Sequence, residues 1–212
     1  GCWSEVRSFG SAVSDFTAHG EASDFEVQQR GQAVGRVRWA LSGTHNQLNA
    51  LAAIAAADHV GVAPRQACEA LAGFQNVRRR MEVRGTVQRG GGAITVYDDF
   101  AHHPTAIRTT LEGLRARVGA ARIVVAMEPR SNSMRLGAHA AQIAPSLDEA
   151  DAVVFLHRPE LAWDAGKVVG ALRGEGETVP DADALLAALG RRCRAGDHVV
   201  FMSNGGFDGA PR

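Results

Sequence analysis

Between Asp24 and Gln29, and again between Val34 and Leu41, apolar and polar residues alternate, with Arg30-Gly31-Gln32 separating the two runs. Alternation of period two around a glycine-bearing break predicts a β-hairpin, and residues 1–42 as a whole read as β structure. From Thr44 the period changes. Leu48, Leu51, Ala52, Ile54 and Ala55 fall on one helical face, with Thr44 placed to cap that helix. A second helix is expected from Pro64 to about Leu71. Around residues 73–80 the pattern breaks into a short, polar, Arg-rich segment that reads as a linker.

Beyond the linker, apolar runs and helical patterns take turns. Strands are expected at 82–88, 93–98, 121–127, 151–156, near 178 and at 197–202, with helices at 104–117, 136–144, 163–172 and 182–193. This alternation predicts a mostly parallel sheet covered by helices. Ile123-Val124-Val125-Ala126 and Val153-Val154-Phe155-Leu156 are unbroken apolar runs, as strands buried on both faces require. Gly90-Gly91-Gly92 lacks the lysine and following helix of a phosphate loop, so it reads as a hairpin turn.

Composition narrows the class. The chain has 212 residues, room for one large domain or two small ones. Its 23 basic and 23 acidic residues cancel, so it lacks the basic surface of a general nucleic-acid binder. Cys2, Cys68 and Cys193 are odd in number, far apart and form no CxxC pair, which suggests neither a zinc site nor a disulfide framework and suits a reducing cytoplasm. No apolar run approaches the length of a membrane span. The start, Gly-Cys-Trp-Ser-Glu, is neither a signal peptide nor a natural beginning; it reads as mid-domain sequence.

Chemistry concentrates at one strand end. Val96-Tyr97-Asp98-Asp99-Phe100-Ala101-His102-His103-Pro104 gathers two carboxylates and two imidazoles where a strand gives way to a helix. In open α/β sheets ligands bind at such strand ends. The plain alternative is a helix-capping loop with solvated charges. Asp98 and Asp99 leave opposite faces of a strand, so only one faces a given ligand, and an aspartate there suits a ribose diol. His102 and His103 are candidate proton carriers. Asn46 and Asn49 share a helical face, and carboxamides suit a purine edge, although N-capping also explains such residues. Arg78-Arg79-Arg80 offers guanidinium forks for phosphate or ribose oxygens, or a solvated hinge. Arg130 follows a buried strand and suits a carboxylate, and Ser203-Asn204-Gly205-Gly206 follows the last one. Trp3, Trp39 and Trp163 read as packing, and His59, His139, His157 and His198 show no evident partners.

Taken together these clusters resemble the ATP-dependent Mur ligase family of peptidoglycan metabolism. His45-Asn46-Gln47-Leu48-Asn49, Arg80-Met81-Glu82 and Asp99-Phe100-Ala101-His102-His103-Pro104 occur in the family's order. Glu128-Pro129-Arg130-Ser131-Asn132 and Ser203-Asn204-Gly205-Gly206-Phe207 resemble the branch that recycles murein peptide. The resemblance implies an ATP- and Mg2+-dependent amide ligase of the cytoplasm. It would join the tripeptide L-Ala-γ-D-Glu-meso-diaminopimelate to UDP-N-acetylmuramate through an acyl phosphate, with no membrane or nucleic-acid partner.

The resemblance further implies that residues 1–76 are the tail of a central ATP-binding domain, a hairpin plus helices. Residues 78–212 would be a Rossmann-like C-terminal domain. The metal ligands and phosphate loop would then lie elsewhere, and this chain alone would be inactive. In the family the C-terminal domain closes over the central one. By analogy, Asn46 and Asn49 contact adenine, Arg80 and Asp99 the ribose, and Phe100 and His102 lie beside the nucleotide. Arg130, Ser131, Asn132, Ser203 and Asn204 face the tripeptide. Asp208 stands where the family tends to have glycine, and the family usually continues past Pro211-Arg212. Rival readings are the same chemistry with free L-alanine as the amine, and a non-catalytic nucleotide-binding module. A His/Asp hydrolase lacks a placed nucleophile.

Overall fold

The computed structural model describes residue 3 and residues 5–210, in two compact units, Gly1–Asn76 and Val77–Arg212. Cys2 and Pro211-Arg212 lie outside the described residues.

In the first unit, strands β1 (Phe16–Glu21), β2 (Asp24–Gln29) and β3 (Gln32–Arg38) form an antiparallel sheet in that order, followed by helices α1 (Thr44–His59) and α2 (Pro64–Leu71). The expected hairpin is β2–β3. Gln29 pairs with Gln32 across Arg30 and Gly31, which sit at φ +49° and +80°. Two central residues of positive φ give a turn whose twist matches the paired strands. The alternating residues Phe25, Val27 and Val37 are buried, and with Phe16 they pack against Leu51, Ile54 and Cys68. β1 is the strand that the alternation did not single out. Thr44 does not cap α1: Gly43 holds that position without a side-chain bond, and Thr44 is the first helical residue. Trp39 packs against Phe25 at 6.1 Å, as expected of a core tryptophan, whereas Trp3 is exposed.

The second unit is a six-stranded sheet. Its elements are β4 (Glu82–Arg89), β5 (Gly92–Asp99), α3 (Pro104–Val118), β6 (Ile123–Met127), α4 (Asn132–Arg135), α5 (Ala140–Ser146), β7 (Ala152–Leu156), α6 (Ala165–Gly170), β8 (Glu175–Val179), α7 (Ala182–Arg192) and β9 (His198–Met202). The spatial order is β4-β5-β9-β6-β7-β8. β4 is antiparallel to β5 and the other neighbours are parallel. Side chains alternate across β6: Ile123, Val125 and Met127 join α3, α5 and α6 in one core layer, while Val124 and Ala126 join α7 in the other. That double burial explains the unbroken apolar runs. The helix expected at 136–144 is two short ones. Gly137 separates them at φ +77°, and a Cβ there would come within 2.8 Å of the Trp163 ring. No described helix is long and apolar enough to cross a membrane.

Candidate functional site

From β5 the chain steps outward through β6, β7 and β8, then returns to lay β9 between β5 and β6. The direction of winding therefore reverses at β9, and the loops beyond β5, β9, β6 and β7 converge at one carboxyl edge. A crevice at such a reversal is where doubly wound sheets bind ligands.

The β5 end is fastened to the segment just before β4. Asp98 accepts from Arg79 Nε at 3.2 Å, and the same guanidinium donates to the Ser203 carbonyl at 2.6 Å. Asp99 is 1% exposed and accepts the backbone amides of Met81 and Ala101, each at 2.8 Å. Burial raises its carboxyl above the ordinary value, and the amides of Ala101 and Met81 with the Arg80 charge oppose that only in part. Arg79 and Met81 both have positive φ, +58° and +48°, so the bonds to Asp98, Asp99 and Glu82 hold a strained turn. The Arg79 amide draws the Glu82 carboxyl below its usual value. The half-buried Phe100 ring lies under two guanidiniums, 5.3 Å from Arg79 and 6.0 Å from Arg80, and meets the His102 ring edge-on at 5.1 Å.

The imidazoles have distinct duties. His102 Nδ1 bonds the Phe100 carbonyl at 2.8 Å, and a carbonyl only accepts, so that nitrogen is the donor. His103 is the N-cap of α3. Its Nδ1 accepts the Thr105 amide at 3.2 Å, so the cap is imidazole rather than aspartate. His198, which showed no partner in the sequence, bonds the Tyr97 hydroxyl at 3.0 Å.

Glu128, 1% exposed at the end of β6, ties three loops together. Arg158 from the β7 loop donates to Oε1 through Nε at 2.8 Å. Ser203 Oγ and the Phe207 amide donate to Oε2, each at 3.1 Å. Arg158 also pairs with Asp208 at 2.9 Å. Gly205 passes so close that a Cβ would meet Glu128 Oε2 at 2.8 Å and Arg130 Cγ at 2.7 Å. Next to this closed network two polar groups lack a partner among the described residues. Arg130 is exposed and makes no hydrogen bond or ion pair, and the buried Asn204 Oδ1 has no donor. An exposed, unpaired guanidinium suits a carboxylate, and an unsatisfied amide oxygen suits a donor.

The profile of one protein family, described as "Mur ligase, glutamate ligase domain", matches residues 79–205. The chain belongs to the Mur ligase family. It is 45% identical to the UDP-N-acetylmuramate–L-alanyl-γ-D-glutamyl-meso-2,6-diaminoheptandioate ligase of Escherichia coli (strain K12), over 99% of this chain and 46% of that protein. It is 37% identical to the UDP-N-acetylmuramate–L-alanine ligase of Mycobacterium marinum, over 85% of this chain and 38% of that one. A crystal structure of a murein peptide ligase from Psychrobacter arcticus aligns with TM-score 0.70 at 37% identity, covering 96% of this chain and 44% of that one. The chain spans about half the length of these Mur ligase relatives or less.

The structure places the expected site residues of this Mur ligase chain as follows. Ser203 is fully buried, and its hydroxyl is engaged by Glu128 and the Gly205 amide. Asp99 is turned onto two amides, those of Met81 and Ala101, because β5 directs it into the turn at residues 79–81. Ser131 Oγ is the N-cap of α4, accepting from Met134 at a long 3.4 Å. Asn132 is exposed at the start of that helix. Asn46 and Asn49 belong to the first unit. Asn46 Nδ2 donates to the Ser42 carbonyl at 2.8 Å, and Asn49 is exposed. Arg80 is exposed in the second unit. Glu128, Arg158 and Asp208 were missed as a network. Glu128 lay within a quoted motif, but nothing in the sequence announced Arg158, 30 residues away, as its partner. Among the described residues no group of three His, Cys, Asp or Glu side chains could hold a metal ion.

Proposed function

We propose that this chain is part of an ATP-dependent carbon–nitrogen ligase that joins L-alanyl-γ-D-glutamyl-meso-diaminopimelate to UDP-N-acetylmuramate in the cytoplasm, in peptidoglycan recycling. The observation that carries this reading is the 45% identity to the Escherichia coli ligase across 99% of the chain.

A free carboxylate is a poor acyl donor, so the muramate carboxylate first takes the terminal phosphoryl group of ATP, releasing ADP. The peptide amine then attacks that acyl phosphate; the C–N bond forms, phosphate leaves and the amine gives up a proton. The part proposed for this chain is binding and orientation. Asn46 and Asn49 read the adenine edge. Arg80 contacts the ribose or phosphates, Phe100 offers a face to the nucleotide, and His102 Nε2 accepts a hydrogen bond from it. Asp99 acts by fixing the backbone that carries Arg80. Arg130, Asn132 and Asn204 read the peptide, with the guanidinium of Arg130 on a peptide carboxylate.

The 37% identity to the alanine-adding relative supports a second reading, with free L-alanine as the amine. The deciding experiment gives the full-length protein UDP-N-acetylmuramate, ATP and Mg2+ with either the tripeptide or L-alanine and identifies products by mass spectrometry. A tripeptide adduct with ADP release is expected. An alanine adduct alone selects the second reading, and no adduct with either overturns both.

A further inference from the structure

Phe207 and Asp208 are consecutive non-glycine residues in the left-handed region, at φ +49° and +54°. Such conformations persist where surrounding contacts hold them, and they cluster at ligand clamps. Here the contacts are the Phe207 amide on Glu128 Oε2, the buried Phe207 ring 5.2 Å from Phe201, and Asp208 on Arg158. Arg158 pairs with both carboxylates: Nε donates to Glu128 Oε1 at 2.8 Å, and the terminal nitrogen donates to Asp208 at 2.9 Å while lying 2.7 Å from Glu128 Oε1 as an ion pair. The planar fork of arginine allows that double engagement, which a lysine lacks.

We propose that Arg158 is a positioning residue for the amine-bearing substrate. Through Glu128 and Asp208 it fixes the loop at residues 203–208, and with it two groups that lack a partner, the buried Asn204 amide oxygen and the exposed guanidinium of Arg130, whose stem lies against Gly205. The path is short. Arg158 holds Glu128; Glu128 takes Ser203 Oγ; Ser203 Oγ takes the Gly205 amide at 2.8 Å; and the Gly205 backbone lies against the Arg130 stem. Arg158 itself touches neither Asn204 nor the reacting atoms in this scheme. This inference rests on the reading that the carboxyl edge receives the amine substrate.

The test uses the full-length protein and three variants, Arg158→Met, Arg158→Lys and Asp208→Gly. Wild type is first assayed with the tripeptide and with L-alanine, and KM for whichever amine it uses becomes the readout. Arg158→Met should raise that KM about 10-fold or more, and Arg158→Lys less, while KM for ATP and kcat stay within about two-fold. Asp208→Gly relieves the left-handed strain at 208 and leaves Glu128 paired. It should fold at least as stably and still raise KM for the amine about 3-fold. Amide hydrogen exchange should speed up across residues 203–208 in Arg158→Met and stay unchanged across 96–101.

An unchanged amine KM in the folded variants, even with a lower Tm, makes Arg158 a structural brace only and overturns the proposal. If Arg158→Met does not fold, Arg158→Lys and Asp208→Gly decide it. A wild type that uses neither amine overturns the functional reading and this inference together.

Discussion

At the amino edge of the second unit's parallel sheet, Arg115 donates to the carbonyls of Gly119, Ala121 and Glu149 and pairs with Asp151 at 2.7 Å. Arg122 there bridges the Arg192 carbonyl and the buried Asp197, and Arg192 pairs with Glu175 and Glu177. At the carboxyl edge the same residue types form another network, Glu128–Arg158–Asp208 with Arg79–Asp98, but Arg130 and the Asn204 oxygen stay open. Strained backbone also gathers at that edge, at Arg79, Met81, Phe207 and Asp208. At the amino edge Arg115, Arg122 and Arg192 are each held by several partners. At the carboxyl edge Arg79 and Arg158 are held in the same way, while the exposed Arg130 and the buried Asn204 oxygen lack a partner. An ion-pair network alone therefore does not mark a site; unclosed groups supported by closed ones do.

The largest break in this comparison comes from Glu128→Ala. It strands Arg158, Ser203 Oγ and the Phe207 amide, and loss of one partner of a buried pair costs about 3–5 kcal/mol. Denaturant titration of the full-length protein should show that loss in the transition that reports this unit. Asp99→Ala comes next. It leaves the Met81 and Ala101 amides without acceptors, at about 2–4 kcal/mol together, and KM for ATP should rise with it. Wild-type stability in that variant would show that the turn at residues 79–81 holds without Asp99.

A smaller effect sharpens the contrast. Arg130→Lys should lower kcat/KM for the tripeptide about 10-fold, near 1.4 kcal/mol, with Tm unchanged, because the native guanidinium has no partner to lose. Arg115→Lys should do the reverse, lowering Tm and leaving kinetics alone. Unaltered peptide kinetics in Arg130→Lys would remove Arg130 from the site.

The smallest effect is in pH. At Asp151 burial opposes ionisation, but the Ile123 amide and Arg115 outweigh it, so folding depresses its carboxyl. Its stabilisation is complete above the ordinary aspartate value, about 4, and is lost as pH falls below it. Asp99 has the opposite sign: its value is raised on folding, so the native state takes up a proton first and gains stability as pH falls from neutral toward about 4. Asp99→Asn should therefore steepen the fall of Tm between neutral pH and about 4, and Asp151→Asn should flatten it below that. The Asp151 pair is partly exposed, so its slope change should correspond to under about 1 kcal/mol. Identical slopes in both variants would erase the distinction between the edges.

By itself the sequence determined the α/β class, the strand–helix alternation, the β2–β3 hairpin and the clustering of chemistry just after strands. These are local properties: periods of 2 and 3.6, glycine-bearing turns, and polar runs where apolar ones stop. It also carried the family through short motifs at fixed order. Only the tertiary structure decided which of those polar residues are open. Asp98 and Asp99 were separable only as opposite faces of a strand; their partners, Arg79 for one and two backbone amides for the other, come from the fold. Ser203 and Asn204 are neighbours, yet the hydroxyl is sealed on Glu128 while the amide oxygen lacks a donor. The order β5-β9-β6 brings the chain's last strand between two earlier ones, so Ser203 meets Glu128 from 75 positions away. Hydrogen bonds are directional and short, and the partner across such a distance is set by strand order and register, which no local pattern encodes.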